Sequence, residues 1–453
     1  MPFIRSISGL RATAGDSLTP EIICKYSAAF AEFLPPGPVV LGRDGRKSGE
    51  WIEMLVAGTL AACGRRIRLI SLAPTPTVQL TVEHSDAAGG IAVTASHNPA
   101  EWNGLKFLNS EGVFLDKDEN EKFWKIVDSG NYSYSPEVED DNIKNDASAV
   151  DRHIKRILDL PLFNGEIIDK IRNRNLTAVV DAVNASGSFA VPQLLEALGC
   201  KVIKLYCDGK GNFPHTPEPL PENLSDLSME VAKTGADIGI AVDPDADRLV
   251  LIDEKGNPPG EERTIVLSAL SALSSGIYPK GSNVVVNQST TRAVEDVAEK
   301  FGAVCSRSAV GEINVVKKMK ETEAVIGGEG SGGVILPDCH YGRDSLVGTA
   351  LIIRLLAVEE KKLSEINSGL PNYSMLKTKR EFSGGIGELL DKIESEFPDA
   401  QIERGDGIKI NFEKSWVQLR ASNTEPIIRI ISEAPEKSEA KALSAIIFTL
   451  IAK

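Results

Sequence analysis

One order of elements recurs three times in this chain and restricts the folds that the chain can adopt. Each copy has a short apolar strand, a helix-like run, a glycine and a second apolar strand. A third apolar strand follows later. The copies start with the strands Val39–Leu41, Leu176–Val180 and Val284–Val286, and their helices span Trp51–Cys63, Gly187–Leu198 and Arg292–Phe301. Continuous apolar strands that alternate with helices are typical of βαβ units whose parallel sheets are covered on both faces.

Each copy ends in a polar loop directly after its third strand. The loops read TASHNP in the first copy, DPDADR in the second and GEGSGG in the third. Open α/β sheets bind ligands at the carboxyl ends of their strands, so the pattern predicts one ligand-binding loop in each copy. The alternative is that three unrelated α/β stretches follow one another.

The chain is too long for a single hydrophobic core, since it has 453 residues. After about Ser374 the pattern changes to short strands mixed with helix-like runs, which is typical of a smaller α+β domain. The sequence therefore predicts an α/β fold of three related mixed α/β domains with largely parallel sheets, followed by a C-terminal α+β domain. The predicted domains span residues 1–150, 151–256, 257–368 and 369–453.

The charge balance and the cysteines limit the partners and the compartment. Fifty basic and 64 acidic residues give a net charge of −14, the opposite of the basic footprint of a nucleic-acid binder. The N-terminal residues lack the apolar core of a signal peptide, and no run approaches the roughly 18 apolar residues of a membrane span. Six scattered cysteines without a CxxC pair indicate free thiols in a reducing compartment. We expect a cytoplasmic protein with no nucleic-acid or membrane partner. The net charge does not exclude a small anionic ligand, because local arginines can outweigh the overall field.

The loop TASHNP places Ser96 and His97 directly behind the apolar strand 90–93. A strand that ends in a sharp turn can present a hydroxyl to a cleft. Such a serine needs a base or an electrophile that activates its partner, because its hydroxyl is a poor nucleophile at neutral pH. The alternative is an ordinary Asn-Pro turn.

The loop DPDADR carries Asp243, Asp245 and Asp247 at every second position. Alternate residues of an extended segment point to the same side, and three carboxylates there favour Mg²⁺, which prefers hard oxygen ligands and phosphate. An EF-hand begins in the same way, but its sixth position must be glycine and is Arg248 here. The alternative is a solvated acidic loop, which would not explain why a strand of the buried type precedes it.

Two further loops supply candidates for sugar and phosphate contacts. In GEGSGG, glycines allow a ligand to approach the backbone closely, while Glu329 and Ser331 could bind sugar oxygens. The segment RASNTEPIIR offers a phosphate site, and plain turns are the alternative in both loops. Its candidates are Arg420, Ser422, Asn423, Thr424 and Arg429.

Two cations lie near these loops in the sequence. Lys106 follows TASHNP by a few residues, and Arg11 sits in the N-terminal loop GLRATAG. Each could instead be a solvated surface cation. Among the five histidines only His97 has a suggestive context.

Taken together, these loops resemble the α-D-phosphohexomutase family of bacteria and archaea. The resemblance covers essentially the whole chain and keeps the family order of serine loop, metal loop, sugar loop and phosphate loop. It implies four domains around a central cleft. It also implies that phosphate moves between O1 and O6 of a hexose phosphate through a bisphosphorylated sugar, in a monomer or homodimer.

The resemblance also implies roles for the candidate residues. Ser96 would be the phosphoserine, and Asp243, Asp245 and Asp247 would hold Mg²⁺ together with the serine phosphate. Arg248 would contact that phosphoryl group. Proton transfer and charge stabilisation would fall to Lys106, Arg11 and His97. The sugar hydroxyls would bind Glu329 and Ser331, and the phosphate that is not transferred would bind Arg420, Ser422, Asn423, Thr424 and Arg429.

The chain departs from the family pattern at two places that affect the choice of sugar. Many members end the sugar loop with Gly-His, whereas this chain has Gly332 and Gly333. Glu312 follows Gly311 where other members have histidine or aspartate. The closest resemblance is to members called phosphoglucosamine mutase or phosphomannomutase. Two rival functions are a serine-dependent sugar phosphatase and a non-catalytic sugar-phosphate-binding regulator.

Overall fold

The computed structural model describes residues 3–136, 142–382, 385–398, 400–421 and 427–452, which form four sheets in succession along the chain. The first sheet has seven strands. Its elements are β1 (Ile4–Ser6), β2 (Gly9–Thr13), α1 (Pro20–Phe33), β3 (Val39–Arg43), α2 (Gly49–Ala62), β4 (Ile67–Leu72), α3 (Thr75–Glu83), β5 (Gly89–Val93), β6 (Trp102–Leu108), α4 (Lys117–Ser129) and β7 (Ile143–Asn145).

The second and third sheets have four strands each. The second unit contains α5 (Ala149–Leu158), α6 (Gly165–Arg174), β8 (Thr177–Asp181), α7 (Gly187–Leu198), β9 (Lys201–Leu205), α8 (Ser225–Thr234), β10 (Ile238–Val242) and β11 (Leu249–Ile252). The third contains α9 (Glu262–Leu273), β12 (Asn283–Asn287), α10 (Ala293–Lys300), β13 (Val304–Ser308), α11 (Glu312–Thr322), β14 (Ile326–Glu329), β15 (Gly333–Ile335), α12 (Ser345–Glu359) and α13 (Leu363–Ser368).

The three α/β units share one strand order, which confirms the repeat seen in the sequence. The orders are β6-β5-β3-β4, β11-β10-β8-β9 and β15-β14-β12-β13. Among these four strands of each unit, the first three in sequence are parallel and the last pairs antiparallel with the third. The last strand is at the edge of the second and third sheets, whereas β6 in the first sheet also pairs with β2. Because the polar loop joins the third strand to this antiparallel strand, TASHNP, DPDADR and GEGSGG occupy equivalent positions in the three sheets.

The second and third units are packed around one continuous core. This core contains buried residues from Ile154 to Leu370, including those of α12, and Leu80 of the first unit joins it. Thirteen residues of α12 are buried, so the helix is enclosed on all sides, and it packs against α6, α7 and α9. None of the described helices is long and apolar enough to cross a membrane.

A buried polar cluster joins the first unit to the other two. His153 Nε2 and His340 Nε2 lie 2.8 and 3.1 Å from the same oxygen of Asp344, and Thr77 Oγ1 lies 2.9 Å from His153 Nδ1. Asp344 also caps α12 by accepting the N–H of Leu346. The cluster fixes the start of α12 relative to α3 and α5.

The fourth unit is an antiparallel sheet with two helices, as predicted for an α+β domain. Its strand order is β16-β20-β19-β18-β17. Its elements are β16 (Ser374–Glu381), α14 (Ile386–Ser395), β17 (Gln401–Arg404), β18 (Ile408–Asn411), β19 (Trp416–Ala421), β20 (Ile427–Ala434) and α15 (Lys437–Ala452). The sequence carries little signal for β16 and β17, because both are mostly polar and largely exposed.

Polar contacts connect the fourth sheet to the third unit. The ammonium of Lys409 donates to the carbonyl of Gln288 at 2.8 Å, and Ser289 Oγ donates to Gln418 Oε1 at 2.6 Å. Lys409 is 1% exposed and lies over the ring of Trp416. Burial lowers the pKa of Lys409 to about 7, and the nearby Arg307 acts in the same direction.

This lysine predicts a pH dependence of stability. Between about pH 7 and about pH 10.4, the usual lysine pKa, the unfolded chain binds more protons at Lys409 than the folded chain does. The free energy of unfolding should therefore rise with pH in this range, by up to about 1.4 kcal/mol per pH unit. In urea unfolding, the free energy of unfolding of the wild type should increase relative to that of Lys409→Met as pH rises. The exposed Lys414→Met should show no such trend, and a pH-independent effect of Lys409→Met would contradict the expectation.

Candidate active site

Ser96 lies in the loop after β5 and faces the loop after β10. Its side chain is buried, and its Oγ donates to Asp243 Oδ2 at 3.1 Å. The backbone φ of Ser96 is 51°, in the left-handed region that non-glycine residues seldom adopt. Strain of this kind is found at functional sites that the surrounding structure holds in place. The structure thus joins the predicted serine loop to the predicted metal loop.

Arg46 holds the serine loop in this strained form. One guanidinium nitrogen donates to the carbonyls of Ser96 and Asn98 at 2.5 and 2.6 Å. Another donates to the carbonyls of Pro99 and Trp102 at 2.5 and 2.9 Å. The third, Nε, donates to Asp44 at 3.0 Å. Because Arg46 is 1% exposed, these bonds form out of contact with bulk water.

We expect Arg46→Ala to lower the free energy of unfolding by about 3–5 kcal/mol, because it leaves the buried Asp44 without its cation. A shift of the serine loop by about 1 Å would also lower the turnover rate by roughly 100-fold. Urea unfolding and turnover measurements test the two effects separately. The half-exposed Arg68→Ala, in the same sheet, is the control. Normal turnover by a folded Arg46→Ala protein would contradict this role.

The three aspartates form a buried cluster that faces Ser96. One oxygen from each of Asp243, Asp245 and Asp247 lies within 4.8 Å of the others, and all three residues are at most 1% exposed. Oδ1 of Asp245 and Oδ1 of Asp247 are buried and have no hydrogen-bond partner among the described residues. Buried carboxylate oxygens without partners are costly unless a cation is bound, so the donor set fits a hard divalent metal ion.

The other oxygens of Asp245 and Asp247 are held by groups from the first and third units. Lys106 Nζ lies 2.6 Å from Asp245 Oδ2 and 3.2 Å from Asp247 Oδ2. Thr75 Oγ1 donates to Asp245 Oδ2 at 2.8 Å, and Arg343 donates to Asp247 Oδ2 at 2.6 Å. These contacts orient the carboxylates, as hydrogen bonds to the ligands of a metal ion generally do.

Burial and the charges around the cluster shift its pKa values in opposite directions. Burial raises the pKa of Asp243 well above its usual value, and the other two carboxylates add to this. Burial acts in the same way on Asp247, but Arg343, Lys106 and Arg248 outweigh it and lower the pKa of Asp247. For Lys106, burial opposes the charged form, yet Asp245 and Asp247 raise its pKa overall. Lys106 is therefore a charged partner of the cluster at neutral pH.

His97, Arg11 and Arg248 surround the serine on its other sides. His97 Nδ1 lies 3.4 Å from Ser96 Oγ, and Arg11 donates to the Asn98 side chain at 3.0 Å. The Arg248 guanidinium, with burial, holds the pKa of His97 well below its usual range, so the ring is neutral at neutral pH. Burial lowers the pKa of Arg11. The structure thus brings together the five residues that the sequence predicts for catalysis.

The sugar loop packs against the second unit. A Cβ at Gly332, whose φ is 89°, would lie 2.4 Å from the carbonyl oxygen of Leu249, so only glycine fits there. Glu329 is 5% exposed, and both of its oxygens accept hydrogen bonds from protein groups. The donors are Arg343, Asn287 and the backbone N–H of Gly311. Ser331 is half-buried at the tip of the loop.

Of the predicted phosphate residues, Arg420 and Arg429 are described, whereas Ser422, Asn423 and Thr424 lie outside the described residues. Arg420 on β19 is directly opposite Arg429 on β20, and Lys379 on β16 is opposite Arg429 on its other side. Like charges directly opposite one another destabilise a sheet. This row of three cations is therefore suited to an anionic ligand.

Sequence reasoning missed Arg46, Thr75 and Arg343. Arg46 lies in the polar loop GRDGRKSG after the first repeated strand, at the carboxyl end where ligands bind, and this position was a usable signal. The sequence around Thr75 and Arg343 contains no motif that marks them. Both act by reaching residues far along the chain.

Comparisons with known proteins agree with the arrangement of the four units. Four sequence profiles match in order, described as phosphoglucomutase/phosphomannomutase alpha/beta/alpha domains I, II and III and the C-terminal domain. They cover residues 4–133, 151–256, 261–373 and 375–450. The chain belongs to the α-D-phosphohexomutase family. It is an isomerase of the phosphomutase type.

Relatives match along nearly the whole chain. A phosphoglucomutase/phosphomannomutase of Thermococcus kodakarensis is 37% identical, over 96% of this chain and 94% of that protein. A probable phosphoglucosamine mutase of Methanopyrus kandleri is 34% identical, over 96% and 95%. A crystal structure of a phosphoglucomutase/phosphomannomutase family protein from Burkholderia thailandensis has a TM-score of 0.86 at 26% identity, over 99% of this chain and 97% of that chain. These relatives are named for different sugars.

Proposed function

We propose that this phosphohexomutase moves phosphate between O1 and O6 of a hexose phosphate through a phosphoserine at Ser96 and a bisphosphorylated sugar, with Mg²⁺ in the aspartate cluster. The observation that carries this proposal is the hydrogen bond from Ser96 Oγ to Asp243, within a cluster that has two unpartnered carboxylate oxygens. Binding alone requires neither a buried nucleophile nor a metal site beside it. A catalytic transfer requires both.

The proposed metal ligands are Asp243, Asp245 and Asp247 together with the phosphate on Ser96. Oδ1 of Asp245 and of Asp247 are available for a metal, while Lys106, Thr75 and Arg343 hold the opposite oxygens. Mg²⁺ prefers such oxygen ligands and usually keeps phosphate oxygens among them. When bound, it would neutralise charge on the phosphoryl group during transfer.

The groups around Ser96 divide the remaining work. Arg248 lies beside the cluster and would contact the phosphoryl group, with its Nε 3.8 Å from Asp243. Neutral His97, 3.4 Å from Ser96 Oγ, can accept a proton, and we assign it that role at the serine. Arg11 and Lys106 would stabilise charge near the sugar oxygen, and proton transfer by Lys106 remains part of the proposal.

The sugar and its second phosphate would bind between the third and fourth units. Glu329 and Ser331 are the proposed contacts to sugar hydroxyls. Glu329 retains acceptor capacity, because a carboxylate has about four lone-pair sites and three protein donors use it. The cation row of Lys379, Arg429 and Arg420 supports the proposed phosphate grip, to which Ser422, Asn423 and Thr424 would contribute. The bisphosphorylated sugar must reorient between the two half-reactions. Each of its phosphates therefore has to bind at this site in turn.

The test is a conversion assay with three substrates. Purified protein with Mg²⁺ and a trace of glucose 1,6-bisphosphate is given glucose 1-phosphate, mannose 1-phosphate or glucosamine 1-phosphate in separate samples. ³¹P NMR then follows the sugar 6-phosphate and free phosphate. We expect a 6-phosphate product without free phosphate, and the relative rates identify the sugar.

Two outcomes would contradict the mutase. Free phosphate as the sole product would identify a serine-dependent phosphatase, in which water accepts the phosphoryl group. Binding of sugar phosphate without turnover of any of the three would favour a non-catalytic regulator.

Further properties belong to the same proposal. All six cysteines are free thiols, which supports a cytoplasmic location. We expect a monomer or a homodimer, and light scattering on the same sample distinguishes them. The domain limits 1–150, 151–256, 257–368 and 369–453 also remain a prediction, because the second and third units share a core across residue 256.

A further inference from the structure

Arg343 connects three acidic residues from different parts of the site. Its Nη2 donates to Asp247 Oδ2 at 2.6 Å, its Nη1 to Glu329 Oε2 at 2.7 Å and its Nε to Glu312 Oε2 at 3.0 Å. Asp247 belongs to the metal loop, Glu329 to the sugar loop and Glu312 to the first turn of α11. The Arg343 side chain is 11% exposed, so these ion pairs are largely shielded from water.

The backbone next to Arg343 is fixed by the contacts of Asp344. The N–H of the next residue, Asp344, donates to the carbonyl of Val334 on β15 at 2.8 Å. The Asp344 side chain caps α12 and joins the buried histidine cluster. The guanidinium is therefore carried by a rigid segment, and its position is transmitted to the carboxylates that it binds.

Gly333 provides the space that Arg343 occupies. A Cβ at position 333 would lie 2.3 Å from Arg343 Cδ and 3.0 Å from its Cγ. These atoms are in the middle of the side chain, so they cannot move aside without displacing the guanidinium. Gly333 lies in β15 with a backbone conformation open to other residues, so its lack of a side chain serves packing and not the turn. The departure from the family pattern at Gly333 and the placement of Arg343 are thus sterically coupled.

We propose that Arg343 is a positioning residue that sets the metal loop and the sugar loop at a fixed separation, and that Gly333 is required to admit it. By binding Oδ2 of Asp247, Arg343 leaves Oδ1 of the same carboxylate free for the metal. By binding Oε2 of Glu329 with the same planar group, it couples the orientation of the sugar loop to that of the metal ligand. This inference rests on the proposed function for its catalytic consequences, whereas its effect on metal binding does not.

The arrangement requires arginine and not merely a positive charge. Guanidinium nitrogens reach three carboxylates at once through a rigid fork, whereas a lysine ammonium is a single point charge on a flexible stem. Arg343→Lys therefore retains the charge and removes the geometry. If Arg343 only held the second and third units together, Arg343→Lys would lower the stability of the protein and leave its metal affinity unchanged.

The experiment measures Mn²⁺ affinity by electron paramagnetic resonance on the full chain, alongside urea unfolding and mutase kinetics. We expect Arg343→Lys to bind Mn²⁺ about 10–100-fold more weakly, the range for outer-shell partners of a metal ligand, and to raise the KM for the sugar phosphate. The control is Arg354→Lys in α12. Arg354 is also buried, but it bonds to oxygens of Leu162 and Ser271 away from the cluster, so it should alter stability alone.

A double-mutant cycle tests the coupling to Gly333. Gly333→Ala should weaken Mn²⁺ binding as Arg343→Ala does, and the double variant should be no weaker than Arg343→Ala alone. Wild-type Mn²⁺ affinity in a folded Arg343→Lys protein, or additive effects in the cycle, would overturn the inference. If the wild type lacked mutase activity, the proposed function would fail, but the Mn²⁺ measurements would still decide the role of Arg343.

Discussion

Replacing Ser96 by alanine should abolish phosphoryl transfer. We expect the rate to fall by roughly 10³–10⁶-fold, as is typical when a catalytic nucleophile is removed, because Ser96 is the proposed acceptor of the phosphoryl group from the bisphosphorylated sugar. Intact mass spectrometry after incubation with glucose 1,6-bisphosphate should show one added phosphoryl group in the wild type and none in Ser96→Ala. ³¹P NMR gives the rates of both proteins.

Ser71 provides a matched control for this substitution. It also adopts a positive φ, 54°, on β4, so Ser71→Ala places alanine in the same unfavourable backbone region. It should retain the phosphoryl group and the activity. A phosphorylated, active Ser96→Ala protein would assign the nucleophile to another residue.

Replacing Asp245 by asparagine should remove most of the metal affinity. The substitution keeps the shape of the side chain but removes one negative charge and one of the two unpartnered oxygens. We expect Mn²⁺ to bind more than about 100-fold more weakly, because even changes to outer-shell partners typically cost 10–100-fold. Turnover at saturating Mg²⁺ should fall as well, and chelation should inactivate the wild type.

Asp169→Asn is the corresponding control, since Asp169 is an exposed aspartate on α6. It should bind Mn²⁺ as the wild type does. Unchanged Mn²⁺ affinity in Asp245→Asn would place the metal elsewhere and remove the basis for assigning the cluster.

The repeat was the part of the fold that the sequence predicted best. Helix α7 has the predicted limits, and Gly199, with a left-handed φ of 91°, ends it where the repeat has its glycine. Apolar strands and helix-ending glycines are local signals, so they survive in a single sequence. The antiparallel strand β6 was missed because its pairing is set by β5 and β2, on either side of it in the sheet, and not by its own residues.

The site was predictable where residues lie within one loop. Ser96 and the three aspartates each lie within a short loop motif that the sequence shows directly. The structure brings these two loops together. Arg343 and Thr75 were not predictable, because each contacts the metal loop from a different unit. Glu329 was predicted as a sugar contact, but its ion pair with Arg343 depends on the space at Gly333, which only the packing of β15 reveals.

The aspartate cluster has a consequence for chimeric enzymes and for the order of synthesis. The second unit contributes three buried carboxylates, while Lys106 comes from the first unit and Arg343 from the third. During translation Lys106 emerges before Asp247, and Arg343 emerges last. A nascent chain that ends after the second unit therefore contains the three carboxylates and Lys106 but lacks Arg343. A chimera that takes its second unit from a relative inherits the same requirement, because its flanking units must supply both cations.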